Sequence, residues 1–237
     1  MVIGLLLHIA VVYLGLLKLL TPLKLPQFFK AIAPAQLLAF STSSSGATLP
    51  VTMRQCKEKL GASKETTSFV LPLGATINMD GTALYQAVAA VFIAQAAGMS
   101  LDMGAQLTIV ITAVLASIGT AAVPGAGIIM LVIILEAIDV PSEGIALILG
   151  VERINDMLRT KTNVTAEAND SAVIAKSEKQ LHPPSEYAKR LAKRQLSAER
   201  KLGHSGLTGG GFQSSQLPTG DFAAALGHTE SNRARLG

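Results

Sequence analysis

The sequence contains little cysteine and little charge. Its 237 residues include one cysteine, Cys56, and 15% charged residues against 49% hydrophobic ones. A single cysteine excludes an internal disulfide bond, and a small buried residue is the simplest interpretation of Cys56. The mean hydropathy of +0.44 is too high for an ordinary soluble domain. The composition therefore indicates a protein that lies in a membrane.

Charged residues are also missing from long parts of the chain. Residues 1–177 consist mostly of apolar runs, and the run from Val2 to Leu20 approaches the length that crosses a bilayer. This run lacks a charged start and a small-residue cleavage site, so we predict a membrane helix rather than a signal peptide. Residues 178–237 are polar and supply most of the net charge of +4. We interpret this positive charge as a sign of the side of the membrane on which the segment lies, and not as a sign of nucleic-acid binding.

Two irregular stretches rich in small, hydroxyl, glycine and proline residues interrupt the apolar segments. "STSSSGATLP" lies at the centre of a hairpin-like unit, residues 27–60, and "ASIGTAAVPGAG" lies at the centre of residues 103–138. Lysine and arginine flank the first unit, which favours insertion from the cytoplasmic side, whereas the second unit has no basic residue and is predicted to insert from outside. Such an inverted repeat is typical of transporters. Irregular backbone is not tolerated against lipid, so both tips are expected to be buried in protein or to line a cavity.

Polar side chains recur along one side of the last predicted helix, residues 143–176. At 100° per residue they lie within about 60° of Asp156. The stripe comprises Glu152, Asp156, Arg159, Thr160, Asn163, Glu167 and Asp170. Each charge at the centre of a membrane helix costs about 2.5–3.5 kcal/mol, so the stripe is expected to face a wet or protein-lined interior. The alternatives are a structural salt-bridge ladder and a soluble amphipathic helix.

The segment "NMDGT" interrupts the apolar stretch between the two hairpin-like units. Asn78, Asp80 and Thr82 are two residues apart, so they would not share one face of a regular helix. If all three serve one site, the backbone must be unwound, and Gly81 permits this. Unwound carbonyls with an amide and a carboxylate suit a small hard cation such as sodium. The alternative is that Asp80 caps a helix end.

The serine run and "GTAAVPGAG" offer hydroxyls and backbone N–H groups that suit a carboxylate ligand. A serine hydrolase is disfavoured, because the sequence has no G-x-S-x-G motif and His8 lies in the first apolar run with nothing to make it a base. We therefore do not expect an enzyme.

Four stretches, "STSSSGATLPVTM", "LPLGATINMDGTALYQ", "ASIGTAAVPGAG" and "DMLRTKTNVT", closely resemble the signatures of the dicarboxylate/amino acid:cation symporter family, in the same order and over about residues 1–177. The resemblance implies an all-α membrane protein with two re-entrant helical hairpins and broken transmembrane helices in an inverted repeat, forming an elevator-type transport domain. It also implies a multi-pass protein of the plasma (inner) membrane, sodium as the coupling ion, no organic cofactor, and a homotrimer for full-length members.

The resemblance also assigns roles to single residues. Arg159 would bind the side-chain carboxylate of an acidic substrate, and Asp156 would bind its α-ammonium group. The rest of the substrate pocket would be Ser43, Ser44, Ser45, Thr82, Val123, Gly127, Thr160 and Asn163. A first sodium site would comprise Gly74, Asn78, Asn163 and Glu167. A second would comprise Thr76, Met79, Ser117, Ile118 and Thr120, and a third would use Asn78 and Asp80. The second hairpin would act as the extracellular gate.

Several positions depart from the family pattern. Ala166 and Glu167 stand where the family has glycine and the sodium-binding aspartate, and the extra methylene moves a carboxylate by about 1.5 Å. Lys161, Asn155 and Asp170 are unusually polar. Gln86 replaces a glutamate of the proton- and potassium-coupled animal members, so no such coupling is expected.

The chain begins at what resembles the sixth helix of the family, so helices that form the trimeric scaffold are expected to be missing. The sequence thus predicts sodium-coupled symport of glutamate, aspartate or C4-dicarboxylates by a truncated chain; the alternative is a non-transporting membrane fragment. Residues 178–237 are predicted to be a cytoplasmic, largely disordered basic tail. Within them, residues 185–203 would be a basic helix on anionic lipid or a solvated disordered segment.

Overall fold

The computed structural model describes residues 1–183 and Ser197. By its internal contacts the chain divides into two units, Met1–Arg190 and Leu191–Gly237. Of the second unit only Ser197 is described, and it is helical. The predicted disordered tail, including the basic segment at residues 185–203, therefore lies outside the described residues except for residues 178–183 and Ser197.

Residues 1–183 are helical and contain no β-strand, which confirms the predicted all-α class. The helices in chain order are α1 (Val2–His8), α2 (Leu14–Leu20), α3 (Leu25–Thr42), α4 (Ser45–Gln55), α5 (Lys64–Ile77), α6 (Asp80–Ala96), α7 (Met103–Ile118), α8 (Ala126–Glu136) and α9 (Leu149–Ser177). A π-helical turn, Ile9–Tyr13, joins α1 to α2, and another, Cys56–Leu60, extends α4. Within the described part, two helical stretches are long and apolar enough to cross a membrane, Val2–Leu20 and Lys64–Ala96.

The first hairpin-like unit consists of α3 and α4, which pack against each other. The chain reverses at Ser43, whose φ of 52° lies in the left-handed region that ends many helices. Ser44 then caps α4, because its side chain accepts a hydrogen bond from the Ala47 N–H at 3.1 Å. The serine run therefore forms the tip between two helices.

The second hairpin-like unit consists of α7 and α8, which also pack together. The tip spans residues 119–125 and ends at Gly125, whose φ of 75° is a conformation that glycine adopts without strain. The apolar arms and the glycine-rich tip lie where the sequence predicted them.

The chain is broken between α5 and α6. Asn78 and Met79 have ψ angles of 75° and 50°, which are not helical. Gly81 is not the break itself, since it lies in the first turn of α6. Its role is steric: a Cβ at Gly81 would lie 2.7 Å from the carbonyl oxygen of Arg159 on α9, so only glycine allows the two helices to approach this closely.

The last helix begins at Leu149 rather than at Glu143 as predicted. Residues Ser142–Leu147 instead form a 3₁₀ turn. Pro141 and Gly144 are poor helix formers, and Gly144 packs tightly on α6, where a Cβ would lie 2.3 Å from the Ile93 side chain. The short connection therefore follows the surface of α6 before α9 starts.

Helix α9 lies at the centre of the fold, packed against α3, α5 and α6 among others. Its second half is buried, and Ala166, Ala168, Ala172 and Ala175 are fully inaccessible. These small residues let neighbouring backbones come close, as in other membrane helix bundles. One apolar core joins α6, α7 and α8. A second joins α9 to α2, α3, α5 and the π-helical turn after α4.

The chain beyond α9 returns to the turn between the Cys56–Leu60 segment and α5. Leu181 forms an antiparallel bridge with Ala62, and the hydroxyls of Ser63 and Thr66 both donate to the Gln180 side-chain oxygen, at 2.5 and 2.6 Å. We call residues 178–182 the strap. It fastens the end of α9 to the start of α5.

Candidate functional site

A small polar pocket lies where both hairpin tips meet α9 and the start of α6. The predicted substrate-binding residues all line it except Ser44, and Met79 and Thr120 line it too. The lining is Ser43, Ser45, Met79, Thr82, Thr120, Ala121, Ala122, Val123, Gly127, Asp156, Arg159, Thr160 and Asn163. Four helices and three connecting segments thus bring together residues that are far apart in the sequence.

The two hairpin tips touch each other through one backbone oxygen. The carbonyl of Ala122 accepts hydrogen bonds from the Ser44 hydroxyl at 2.7 Å and from the Gly46 N–H at 3.3 Å. Ser44 therefore acts beside the pocket, by joining the tips, while Ser43 and Ser45 line it. Val123 also lines the pocket, although it is 55% exposed.

Arg159 is the central charge of the pocket and is only 2% exposed. Its Nε and Nη2 donate to Asp156 Oδ1 at 3.0 and 2.9 Å, and Nη2 lies 3.4 Å from Glu152 Oε1. The guanidinium carbon also lies 4.7 Å from the centre of the Tyr85 ring, a cation–π geometry. Nη1 is buried and has no hydrogen-bond partner. Buried donors normally have an acceptor. Nη1 is therefore the group of this site that can donate a charge-assisted hydrogen bond to a ligand.

Asp156 connects the pocket to the second tip. While one oxygen binds Arg159, Oδ2 accepts a hydrogen bond from the Gly125 N–H at 2.9 Å. Gly127 leaves room for the guanidinium, since a Cβ there would lie 1.7 Å from Arg159 Nη1. The position of the second tip is therefore coupled to the charged pair on α9.

Asn163 holds the start of α6 against α9. Its side-chain oxygen accepts from the Gly81 N–H at 2.8 Å, and its amide nitrogen donates to the Thr82 hydroxyl at 3.1 Å. Both residues are buried. Thr82 and Asn163 thus form one edge of the pocket as a bonded pair.

Three members of the predicted first sodium site, Gly74, Asn78 and Glu167, lie beside this pair. A Cβ at Gly74 would lie 3.5 Å from Glu167 Cγ and 4.0 Å from Asn78 Cβ, so the three are neighbours. Glu167 is 1% exposed, and neither of its carboxylate oxygens accepts a hydrogen bond of good geometry, although the Ser45 hydroxyl lies close by. A buried carboxylate without donors is chemically suited to a cation.

Asp80 faces a different part of the molecule. It accepts a hydrogen bond from the Tyr13 hydroxyl at 2.8 Å and lies 3.4 Å from His8 Nε2. Asn78 instead donates to Asp170, and Thr82 pairs with Asn163. The three polar side chains of "NMDGT" therefore have three separate sets of partners, and the structure does not join them into one site.

The predicted second sodium site is only partly assembled. Met79 and Thr120 line the polar pocket, whereas Ser117 and Ile118 line an apolar groove along α6 and α7. Thr76 is exposed, and the hydroxyls of Thr76, Ser117 and Thr120 each donate to a carbonyl of their own helix. Because a donating hydroxyl keeps its oxygen lone pairs, both these hydroxyls and nearby backbone carbonyls could bind an ion there.

Sequence reasoning missed several contacts. The sequence does not show that Tyr85 lies against Arg159, and the backbone groups of Ala122 and Gly125 leave no signal in the sequence. His8 and Tyr13 are five residues apart, which puts them on different faces of an α-helix, but the π-helical turn Ile9–Tyr13 brings residues at that spacing together. Only the polar stripe pointed to Glu152.

The oxygens near Glu167 suit an alkali cation. No group of three histidine, cysteine or acidic side chains within residues 1–183 converges as a metal site. The groups available to bind a cation here are single carboxylates, amide oxygens and backbone carbonyls. Broken membrane helices present the same kinds of ligand to sodium.

Comparison with known proteins shows which family this chain is similar to. The profile of the sodium:dicarboxylate symporter family matches residues 1–177. The chain is 45% identical over 174 residues to excitatory amino acid transporter 2 of Homo sapiens, covering 73% of this chain and 30% of that protein. It is 49% identical over 180 residues to excitatory amino acid transporter 3 of Mus musculus, covering 75% and 34%. It is 47% identical over 174 residues to excitatory amino acid transporter 1 of Homo sapiens, covering 73% and 32%.

The chain thus spans about a third of the length of these relatives. The matched proteins are transporters and not enzymes, which confirms the expectation drawn from the missing hydrolase motif. Over residues 1–177, this chain belongs to the sodium:dicarboxylate symporter family.

Proposed function

We propose that this chain forms the substrate-binding part of a sodium-coupled symporter of acidic amino acids, glutamate or aspartate, or of C4-dicarboxylates, in the plasma membrane. The observation that carries the proposal is the buried guanidinium of Arg159. This residue lines the pocket between both hairpin tips, and its Nη1 has no hydrogen-bond partner. Because Nε and Nη2 already bind Asp156, Nη1 would give a substrate carboxylate one charge-assisted hydrogen bond, and a two-bond fork would form only if Nη2 left Asp156.

The partners of Arg159 and Asp156 support a substrate with charges of both signs. A side-chain carboxylate would meet Nη1 of Arg159, and an α-ammonium group would meet Asp156. For the ammonium to reach Asp156 Oδ2, the hydrogen bond from the Gly125 N–H must be exchanged, so the second tip would move when substrate binds. This supports a role for the second hairpin as the gate.

Sodium coupling is supported by the charges next to the pocket. Glu167 is buried without a cationic side chain or a well-formed hydrogen bond, and isolated buried carboxylates are costly unless a cation accompanies them. We propose that sodium is held near Glu167 by Asn78, Asn163 and the Gly74 backbone. Gln86 is fully buried and donates to the Gly127 carbonyl at 3.1 Å; being neutral, it supports coupling without proton or potassium transport.

The surface supports a lipid environment. Large apolar side chains such as Ile3, Leu19, Phe69 and Leu107 are 59–82% exposed, which is unusual for a protein surrounded by water. The re-entrant insertion of the hairpins, elevator movement, assembly as a homotrimer and a cytoplasmic tail are further parts of this proposal, and they rest on the family resemblance.

The test is binding of radiolabelled aspartate, glutamate and succinate to the purified chain in detergent, with sodium and with choline in its place. We expect sodium-dependent binding that Arg159→Ala abolishes. Arg153→Ala is the matched control, because Arg153 lies on the same helix but is exposed. If Arg159→Ala binds substrate as well as the unchanged chain, the substrate assignment is wrong.

The second candidate is a membrane fragment that binds without transporting. The matched region covers about a third of the length of these relatives. Uptake into proteoliposomes separates the two functions. Sodium-driven accumulation of substrate would support the symporter, and binding without accumulation would support the fragment.

A further inference from the structure

A carboxylate outside the predicted sodium sites faces the same region. Asp170 is partly buried and lies three residues after Glu167 on α9, so both side chains occupy the same side of the helix. The Asn78 side-chain nitrogen donates a short hydrogen bond to Asp170 Oδ2. Asp170 is therefore in direct contact with a residue of the proposed cation site.

The carboxyl groups in this region outnumber the basic side chains that pair with them. Asp170 is close enough to interact electrostatically with Glu167 and with Asp80. Among residues 1–183 no lysine or arginine forms an ion pair with any of the three, and His8 lies 3.4 Å from Asp80. Glu167 is buried with both oxygens unpartnered, which points to a positively charged ligand rather than to hydrogen bonds within the protein.

The orientation of Asn78 fits this interpretation. Because its Nδ2 is used by Asp170, its Oδ1 is turned away from that carboxylate and is the end of the amide that can bind a cation. Asp170 thus does two things at once: it fixes the amide and adds a negative charge next to it.

On the basis of the proposed sodium-coupled function, we propose that Asp170 is a further cation-binding residue, which together with Asn78 and Glu167 holds an alkali cation between the chain break and α9. Its charge raises the affinity for sodium, and its hydrogen bond orients the Asn78 amide. A residue that only orients Asn78 would not raise the affinity for sodium through its charge.

The experiment measures equilibrium binding of ²²Na⁺ to the purified 237-residue chain in detergent. Asp170→Asn removes the charge but keeps an oxygen that accepts from Asn78, whereas Asp170→Ala removes both. Asp139→Asn is the matched control, because Asp139 is exposed and its φ of 55° is one that asparagine tolerates. We expect Asp170→Asn to weaken sodium binding by about tenfold or more, nearly as much as Asp170→Ala, with Asp139→Asn unchanged.

Sodium affinity that is unchanged in Asp170→Asn, or lost only in Asp170→Ala, would show that Asp170 merely positions Asn78 and would overturn the inference. In that case Arg159-dependent substrate binding would still stand, so the proposed function would survive. Absence of sodium binding by the unchanged chain would overturn both. If Asp170→Asn does not fold, Asp170→Glu and Asp170→Gln carry the same comparison, with binding expected to persist only in the former.

Discussion

The replacement Gly127→Ala tests the geometry of the pocket through a single methyl group. A Cβ at Gly127 would lie 1.7 Å from Arg159 Nη1 and 2.5 Å from Cζ. Ordinary contacts between such atoms are about 3.5 Å, so the guanidinium would have to retreat by about 1.8 Å. It cannot do so freely, because Asp156 holds it by hydrogen bonds of 2.9 and 3.0 Å and the Tyr85 ring lies against it.

A shift of that size would break at least one of the two bonds to Asp156. A hydrogen bond between charged groups contributes about 1.5–3 kcal/mol, which corresponds to a loss of substrate affinity of about 10- to 150-fold. The assay is sodium-dependent binding of radiolabelled aspartate by the purified chain, together with its thermal unfolding. Gly150→Ala is the control, since nothing lies within 4 Å of that position on α9. If Gly127→Ala leaves both affinity and melting temperature unchanged, Arg159 does not occupy the described position.

Three further replacements test contacts around the site. Tyr13→Phe removes the hydrogen bond of 2.8 Å to Asp80 and is expected to lower the free energy of unfolding by about 1–2 kcal/mol; an unchanged melting temperature would argue against this bond. Ser44→Ala removes both the cap of α4 and the bond to Ala122, so we expect a loss of about 1–2 kcal/mol and faster hydrogen exchange in the first tip, and equal exchange rates would contradict it. Gly81→Ala places a Cβ 2.7 Å from the backbone of α9, with an expected cost of about 1–3 kcal/mol; a chain that melts at the original temperature would show that α6 and α9 separate easily.

The sequence predicted the helical organisation because local rules govern it. Apolar arms, a serine or glycine-rich tip and a break at "NMDGT" all produce signals within a few residues of the feature itself. The polar stripe on α9 was predictable for the same reason, since a regular helix places Asp156, Arg159 and Asn163 on one side. All three are buried.

Features that depend on contacts between distant segments were not predictable. The sequence left open whether Asp80 joins Asn78 and Thr82 in one site or caps a helix end. Its partners lie on α1 and the π-helical turn, whose altered spacing has no clear sequence signal. The meeting of the tips at the Ala122 carbonyl involves a backbone atom, which every residue possesses. The later start of α9 at Leu149 depends on how closely Gly144 packs on α6.

The strap shows that the contacts of the first unit continue beyond the end of the family match. The match stops at residue 177, yet the Gln180 side chain is the acceptor for the hydroxyls of both Ser63 and Thr66. A recombinant chain that ends at residue 177 would lose both hydrogen bonds to Gln180. The start of α5 would then be held less firmly. Chimeras that exchange this domain with a relative should therefore be joined after residue 183, so that the strap stays in the same chain as α5 and α9.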